Sequence, residues 1–266
     1  MSTAGPNTQH RRAVILGASN VTRGIATVAA TAEALLGAPL QLMVAAGRGR
    51  SFGTWSRVLA RTLPSILDSG IWRAAATEPR PTHALLTDVG NDILYGRDPE
   101  QILAWVEACT VRLSDLGVRV VLARLPLARL ERVNERGYAA FRSLVVPNHR
   151  PPPLAEALRR ARAVHEGLAS VGERHGAVVV DPSLDWYGLD PVHVRLTRQA
   201  VAWRTMLGPW STATLQEIPP VRGGLLAAGR LAATFPQCGT MFGVRFGSEG
   251  AQPGRARVGG TVVELY

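Results

Sequence analysis

Residues 13–37 read AVILGASNVTRGIATVAATAEALLG, and this stretch determines the expected fold class. Residues 13–18 are apolar throughout, which is typical of a strand buried on both faces of a sheet. Residues 22–36 place apolar side chains at helical spacing, and Gly37 followed by Pro39 signals the end of that helix. An apolar strand followed directly by a long helix is the first part of a βαβ unit.

The same alternation of apolar runs and helical patterns continues along the chain. Further strands are predicted at residues 40–46, 83–89, 118–125 and 177–181, and further helices at 54–67, 99–116, 154–175 and 194–207. Such an alternation predicts a five-stranded parallel sheet covered by helices on both faces. With right-handed crossovers, the expected architecture is a flavodoxin-like three-layer α/β/α sandwich with strand order 2-1-3-4-5. The active crevice of this fold lies at the carboxyl ends of the strands.

Three segments fall outside the repeated pattern. Residues 1–12 are polar and are predicted to form a disordered N-terminal segment before a main domain at 13–207. Residues 126–153 interrupt the repeat with a helical stretch and a proline run, and this insertion is either a lid over the site or a structural element without contact to substrate. Residues 208–266 are rich in Gly and Pro, with strand-like runs at 240–246 and 260–266, and are predicted to be a C-terminal extension with a small β-hairpin appendage.

Composition excludes several classes of site. The two cysteines, Cys109 and Cys238, lack CxxC spacing, so neither a zinc site nor a disulfide framework is expected. Cys109 falls in an apolar helical pattern and is predicted to be a core residue. Nothing in the sequence requires a metal or a cofactor. The polar N-terminus has no signal-peptide core and no run of about 18 apolar residues occurs, so we expect no membrane span and a cytoplasmic protein.

The chain is strongly basic, with a formal net charge of +10, and all 30 basic residues are arginine. These arginines are scattered and do not alternate with aromatic residues, so we interpret them as solvated charges on helix faces and expect no nucleic-acid partner. The oligomeric state is left open. The apolar residues 225–235 could pack on their own domain or on a second subunit.

The first motif with chemical potential is GASN at residues 17–20. It places Ser19 on the turn from the first strand to the first helix, where helix N–H groups are available to stabilise an oxyanion. The alternative is that Ser19, Asn20 or Thr22 only caps the helix.

Two further motifs follow the second and third predicted strands. GRGRSFG at residues 47–53 contains glycines that let backbone N–H groups approach a ligand closely. GND at residues 90–92 offers the amide of Asn91 as a neutral donor to an oxyanion, with Asp92 capping a helix or holding a loop. The alternative for GND is an ordinary Asx turn.

The fourth motif is DPVH at residues 190–193, between the fifth strand and the last helix. An acid three residues before a histidine can orient one ring nitrogen while the other nitrogen faces a hydroxyl across the cleft. His193 is the histidine at the expected active edge of the sheet. The other histidines lie at positions predicted to be the flexible start, a strand opening, the insertion or a surface helix: His10, His83, His149, His165 and His175.

The order and placement of these four motifs resemble the SGNH (GDSL-like) hydrolase superfamily over about residues 13–207. That family has a GDS-like block after strand one, a glycine-bearing loop after strand two, a G-x-N-D block after strand three, and D-x-x-H near the end. The resemblance implies that Ser19 is the nucleophile and His193 the general base, with Asp190 orienting the histidine. It also implies an oxyanion hole formed by the Ser19 amide, a loop glycine and Asn91.

The chain departs from the family pattern at two positions. Ala18 stands where the GDS block has its aspartate, and the glycine of the third block sits one position later, at Gly90. Gly47 is the predicted oxyanion glycine because it comes directly after the strand, and GRGRSF looks similar to the corresponding stretch of family members that deacetylate carbohydrates. Gly49 and Gly53 are alternatives.

The resemblance implies a serine esterase that cleaves a carboxylic ester of a small molecule through an acyl-enzyme on Ser19. An acyltransferase using the same triad is one alternative, and a non-catalytic small-molecule-binding module is another. A nucleotide-binding module is disfavoured because G-x-G-x-x-G fails at Ser19 and the chain has no lysine for a Walker motif. The acyl and alcohol groups of the substrate are not readable from the sequence.

Overall fold

A computed structural model of the chain describes residues 11–58, 61–139, 151–234, 239–241, 244–246 and 253–266. Along these residues the strands are β1 (Arg11–Leu16), β2 (Leu40–Ala45), β3 (Ser56–Val58), β4 (Arg61–Leu63), β5 (His83–Leu86), β6 (Arg119–Ala123), β7 (Val178–Val180), β8 (Gly239–Met241), β9 (Val244–Phe246), β10 (Gly254–Val258) and β11 (Thr261–Leu265). The helices are α1 (Ser19–Leu36), α2 (Ile71–Ala75), α3 (Asn91–Leu94), α4 (Pro99–Ser114), α5 (Leu127–Leu130), α6 (Leu154–His175), α7 (Gln199–Leu207) and α8 (Leu225–Thr234).

The central sheet confirms the predicted fold class. Its order is β10-β11-β2-β1-β5-β6-β7, and the five strands from β2 to β7 are parallel. These five strands correspond to the predicted order 2-1-3-4-5. Helices α4 and α6 pack with one face of the sheet, and α1, α7 and α8 pack with the other. The apolar strands are therefore covered on both sides, as their composition predicts.

The strand count differs from the prediction, because the sheet has seven strands and not five. The two additional strands, β10 and β11, form a hairpin in the C-terminal extension, and β11 pairs in parallel with β2. The hairpin is therefore part of the central sheet and not an appendage on its surface. The pairing extends the sheet at an edge and buries Val263 and Leu265 completely. The burial of these apolar side chains favours the position of β11 in the sheet.

A second sheet replaces the predicted helix at residues 54–67. Strands β3 and β4 form an antiparallel pair in this stretch, and the sheet continues through β8 and β9. The helix prediction was wrong because the apolar spacing in 54–67 also suits two strands that pair with each other, and the second of them, β4, pairs in addition with the distant β8.

Residues 11 and 12 belong to the central sheet and not to a disordered N-terminal segment. Residues 1–10 and 140–150 lie outside the described residues, and the second range includes the middle of the predicted insertion. β1 begins at Arg11, so the chain enters the sheet two residues before the predicted boundary. Arg12 is buried, and its guanidinium donates hydrogen bonds to the carbonyls of Thr77 (2.7 Å) and Ala74 (3.0 Å).

Two features bear on the expected class of protein. Within the described segments, none of the helices is long and apolar enough to cross a membrane. In α8, Leu231 is buried on the main domain near α1, whereas Leu225 and Leu226 are exposed. At least part of the apolar stretch 225–235 therefore packs on its own domain.

Candidate active site

The carboxyl ends of the parallel strands bring the predicted triad together. Ser19 is the first residue of α1, directly after the turn that follows β1. Its Oγ lies 2.9 Å from Nε2 of His193, whose Nδ1 lies 2.6 Å from Oδ2 of Asp190. Both distances are within hydrogen-bonding range. The three side chains therefore form a continuous chain from hydroxyl to imidazole to carboxylate.

Asp190 is fixed by its own loop as well as by the histidine. Its Oδ1 accepts the backbone N–H groups of Val192 and His193, each at 3.1 Å. Burial raises the pKa of Asp190, but the hydrogen bond and charge of His193 and the two backbone donors outweigh it, so the pKa lies below its ordinary value. The carboxyl is thus held as the anion that an imidazolium needs beside it.

The N-terminus of α1 has no capping side chain of its own. The residue at the cap position is Ala18, which cannot accept a hydrogen bond, and Ser19 is free of a capping role. Instead Oδ2 of Asp88, from the end of β5, accepts the N–H groups of Ala18 (3.0 Å) and Asn20 (2.9 Å). The alternative prediction, that Ser19 or a neighbour merely caps the helix, is therefore wrong. Sequence reasoning missed Asp88.

Asn91 lies at the start of α3 and faces the loop after β2. Its Nδ2 donates a 3.4 Å hydrogen bond to the carbonyl of Arg50, and Asn91 lines the same pocket as Ser19. The Asn91 amide therefore belongs to the lining that contains Ser19, and its role as an oxyanion donor stays a prediction.

Asp92 holds the loop after β2 from beneath. The side chain is fully buried; it accepts a hydrogen bond from the Ser51 hydroxyl and another, at 3.0 Å, from the Phe52 N–H. Burial raises the pKa of Asp92 to about 6, against the opposing effect of these hydrogen bonds. Of the two roles predicted for Asp92, the structure supports holding the loop.

The three candidate oxyanion glycines sit differently in this loop. Gly49 has a φ of 65°, in the left-handed region, so the turn itself explains that glycine. A Cβ on Gly53 would lie 2.0 Å from the Trp105 ring, so close packing explains that one. Gly47 opens the turn and its carbonyl accepts the Arg50 N–H at 3.1 Å. Gly47 as the oxyanion donor stays a prediction.

Arg50 anchors this loop to the C-terminal hairpin. Its side chain is fully buried, and the guanidinium donates to the carbonyls of Tyr266 (2.5 Å) and Pro64 (3.0 Å). Burial lowers the pKa of Arg50 to about 10. The loop is also held by Tyr95, whose hydroxyl donates to the Gly49 carbonyl at 2.5 Å.

A mainly apolar pocket lies beside Ser19. Its lining includes Ser19, Asn20 and Asn91 as well as residues of α5 and α6. Its apolar walls include Leu94, Leu125, Leu130, Val133, Leu154, Ala157, Leu158 and Ala161. A space with one polar end and apolar walls suits a substrate with an apolar group attached to a reacting polar centre.

The remaining predicted features have structural roles or fall outside the described segments. Cys109 is buried in the core, as predicted, and burial raises the pKa of its thiol. Of the other histidines, His165 lies 3.0 Å from the Leu125 carbonyl and His175 lies 2.8 Å from Glu107. Cys238, His10 and His149 lie outside the described residues. Among the side chains that the structure describes, no group of three or more His, Cys, Asp or Glu residues is arranged to hold a metal ion.

Comparison with known proteins places the fold. No family model and no curated protein matches the sequence. Among solved structures, the chain is similar to a Bacteroides fragilis protein described as an acylhydrolase, with a TM-score of 0.52 and 12% identity over 77% of this chain and 88% of that one. It is also similar to a carbohydrate acetylesterase family member from Sinorhizobium meliloti, with a TM-score of 0.50 and 13% identity over 74% and 96% of the two chains.

A third similar structure is LAE5, an alpha/beta hydrolase enzyme from the metagenome of Lake Arreo, Spain, with a TM-score of 0.50 and 14% identity over 75% of this chain and 94% of that one. These likenesses confirm the expected fold: the chain has the three-layer α/β/α fold of the structures it resembles. At such low identity the likeness concerns the fold, and a fold alone does not determine chemistry.

Proposed function

We propose that this protein is a serine esterase that cleaves a carboxylic ester through an acyl-enzyme on Ser19. The observation that carries the proposal is the aligned set of contacts, 2.9 Å from Ser19 Oγ to His193 Nε2 and 2.6 Å from His193 Nδ1 to Asp190 Oδ2. Structures of esterases and acylhydrolases with the same fold support this reading.

The mechanism begins with the nucleophile. His193 Nε2 takes the proton of the Ser19 hydroxyl as Oγ attacks the ester carbonyl, and the Asp190 carboxylate stabilises the resulting imidazolium. The tetrahedral oxyanion accepts hydrogen bonds from the Ser19 N–H, the Gly47 N–H and the Asn91 side-chain amide. Ser19 is the first helical residue of α1, so the positive end of the helix dipole lies beside the developing negative charge.

Collapse of this intermediate breaks the ester bond. His193 gives its proton to the leaving alcohol, and the acyl group stays on Ser19. A water molecule then loses a proton to His193 and attacks the acyl-enzyme; as the bond from the acyl carbon to Ser19 Oγ breaks, His193 returns that proton to Oγ and the carboxylic acid is released. No further reactant is needed, and the protein ends each cycle in its starting protonation state.

The pocket favours an apolar acyl group. Its walls from α5 and α6 are aliphatic, with Leu130, Leu154 and Leu158 around the small residues Ala157 and Ala161. Burying each CH₂ of an acyl chain against such walls contributes about 0.8 kcal/mol. We therefore expect turnover of esters to rise with acyl length until the chain fills the space.

Steady-state hydrolysis of p-nitrophenyl acetate, butyrate and octanoate tests the proposal. The wild-type protein should release p-nitrophenol from all three, fastest from a longer ester, and Ser19→Ala should abolish release while the circular dichroism spectrum is unchanged. Ser211→Ala is the matched control, because the Ser211 hydroxyl contacts only the Ala213 N–H among the described residues. Wild-type rates in Ser19→Ala would refute the proposal. Repeating the reaction with added alcohols distinguishes hydrolysis from acyl transfer, since a transferase would form new esters.

A further inference from the structure

Asn20 links the nucleophile turn to the loop of the catalytic histidine. Its Oδ1 accepts the Val194 N–H at 2.8 Å, and its Nδ2 donates to the Val192 carbonyl at 2.9 Å. These two residues flank His193 on either side. Asn20 itself follows Ser19 directly, so one side chain ties the backbone around the base to the backbone around the nucleophile.

Asp88 holds Asn20 in place from a third strand end. Its Oδ1 accepts the second N–H of the Asn20 side chain at 2.8 Å, and its Oδ2 accepts the backbone N–H groups of Ala18 and Asn20. Asp88 has a φ of 61°, a left-handed conformation that aspartate tolerates better than most residues. The backbone thereby turns the carboxylate towards the nucleophile turn.

These contacts satisfy the Asn20 side chain fully and fix its orientation. Both N–H groups of Nδ2 have acceptors, Asp88 Oδ1 and the Val192 carbonyl, and Oδ1 has the Val194 donor. The flipped amide would place a donor against the Val194 N–H and an acceptor against the carboxylate, so only one orientation is compatible with all three partners. The three hydrogen bonds therefore fix the Asn20 amide relative to both Asp88 and the loop of His193.

We propose that Asn20 and Asp88 are positioning residues that keep His193 in register with Ser19. The inference rests on the proposed esterase function and adds the residues that hold its proton-transfer geometry. Neither acts on the substrate in this scheme. Their effect is on the alignment of Ser19 Oγ with His193 Nε2, which is needed during bond making, so their loss should lower kcat more than it raises KM.

Four variants and a control test this arrangement by p-nitrophenyl ester kinetics and by the rate of fluorophosphonate labelling. Asn20→Ala should lower kcat about 10²-fold, as expected for a misplacement of about 1 Å, with KM changed about twofold at most. Thr22→Ala is the matched control, because it removes a 2.9 Å hydrogen bond to the Ser19 carbonyl in the same turn without touching the His193 loop. Its kcat should stay within about twofold of wild type.

An exchange of donor and acceptor separates positioning from simple loss of stability. Asn20→Asp sets two carboxylates against each other, and Asp88→Asn sets two amide N–H groups against each other. The double variant, Asn20→Asp with Asp88→Asn, restores one donor and one acceptor across the 2.8 Å contact, although the Val192 carbonyl loses its donor. We expect its kcat to exceed that of Asn20→Asp about tenfold.

Each outcome has a definite consequence. If the wild type hydrolyses the esters and is labelled, and Asn20→Ala has the same kcat and labelling rate, this inference alone is overturned. The inference is also overturned if the kcat of the double variant is no higher than the value expected from multiplying the two single-variant losses. The same applies if Thr22→Ala lowers kcat as much as Asn20→Ala does. A well-folded wild type that is neither labelled nor active overturns the proposed function, and this inference with it. Melting temperatures of all variants, measured alongside, ensure that the kinetics refer to folded protein.

Discussion

Asp92→Asn should remove a pH-dependent part of the stability of this protein. Asp92 is fully buried, and its pKa is raised from 3.8 to about 6. Between these values the folded protein binds the proton of this carboxyl and the unfolded chain does not. The stabilisation that results is complete below pH 3.8 and is lost as the pH rises through about 6.

The size of the effect follows from the two pKa values. The difference between 3.8 and about 6, at about 1.4 kcal/mol for each pH unit, amounts to about 3 kcal/mol. Asparagine has nearly the same shape and is neutral at every pH. It keeps an acceptor for the Phe52 N–H, but its NH₂ group faces Ser51 Oγ, which already accepts the N–H groups of Gly53 and Thr54. This mismatch lowers the stability of the variant by an amount that does not depend on pH, so it leaves the pH-dependent difference unchanged.

Reversible urea unfolding of the wild type and Asp92→Asn, at intervals from pH 4 to pH 7.5, measures this directly. Titration of all other groups cancels in the difference between the two proteins. Across this range the free energy of unfolding of the wild type should fall, relative to that of the variant, by most of the ~3 kcal/mol, chiefly below pH 6.5. A difference that is constant from pH 4 to pH 7.5 would mean that Asp92 has the same pKa folded and unfolded, and the reasoning about its burial would be wrong.

Three further predictions concern the site. Asn91→Ala should lower kcat about 10²- to 10³-fold through loss of an oxyanion donor, and a change below about fivefold in ester kinetics would exclude that role. Asp190→Asn should lower kcat by up to about 10⁴-fold because the histidine loses its anionic partner, and a variant in which KM rises while kcat is unchanged would contradict this role. Ala161→Leu should lower turnover of the octanoyl ester about tenfold or more while sparing the acetyl ester, and an unchanged chain-length profile would show that the acyl group binds elsewhere.

The central sheet could be predicted from local signals, and the grouping of Ser19, His193 and Asp190 could be predicted from the order of the four motifs and the resemblance they carry. Continuous apolar runs identify strands that are buried on both faces, and parallel strands place their carboxyl ends at one edge. Ser19 follows β1 immediately, and Asp190 and His193 are three residues apart on one loop. Their meeting depends on the topology alone, once the order of β1 and its neighbours is known.

The second sheet, and the pairing of the C-terminal hairpin with the central sheet, could not be predicted in the same way. Residues 54–67 carry an apolar spacing that suits a helix, but β4 pairs with β8, which is far away in sequence. β11 joins the central sheet beside β2, again across most of the chain. Pairing partners at such separations leave no local pattern, so local sequence reveals neither the strands within residues 54–67 nor the sheet that β11 joins.

The link through Asn20 and Asp88 was missed for a related reason. Asp88 lies 70 residues from Ala18 in sequence, and Val192 lies 172 residues from Asn20. Each residue alone is consistent with a turn or a cap. One available signal was the absence of an acid at Ala18, since the exposed N–H groups of the turn then need an acceptor from elsewhere in the chain.

The central claim is that Ser19 forms a covalent acyl-enzyme, and the most direct test is to trap the serine. The wild-type protein would be treated with a fluorophosphonate, digested and analysed by tandem mass spectrometry. We expect one phosphonyl adduct, on Ser19, that is absent from Ser19→Ala and formed much more slowly in a His193→Ala variant. An adduct on a different serine, or no adduct on folded wild-type protein, would contradict the claim.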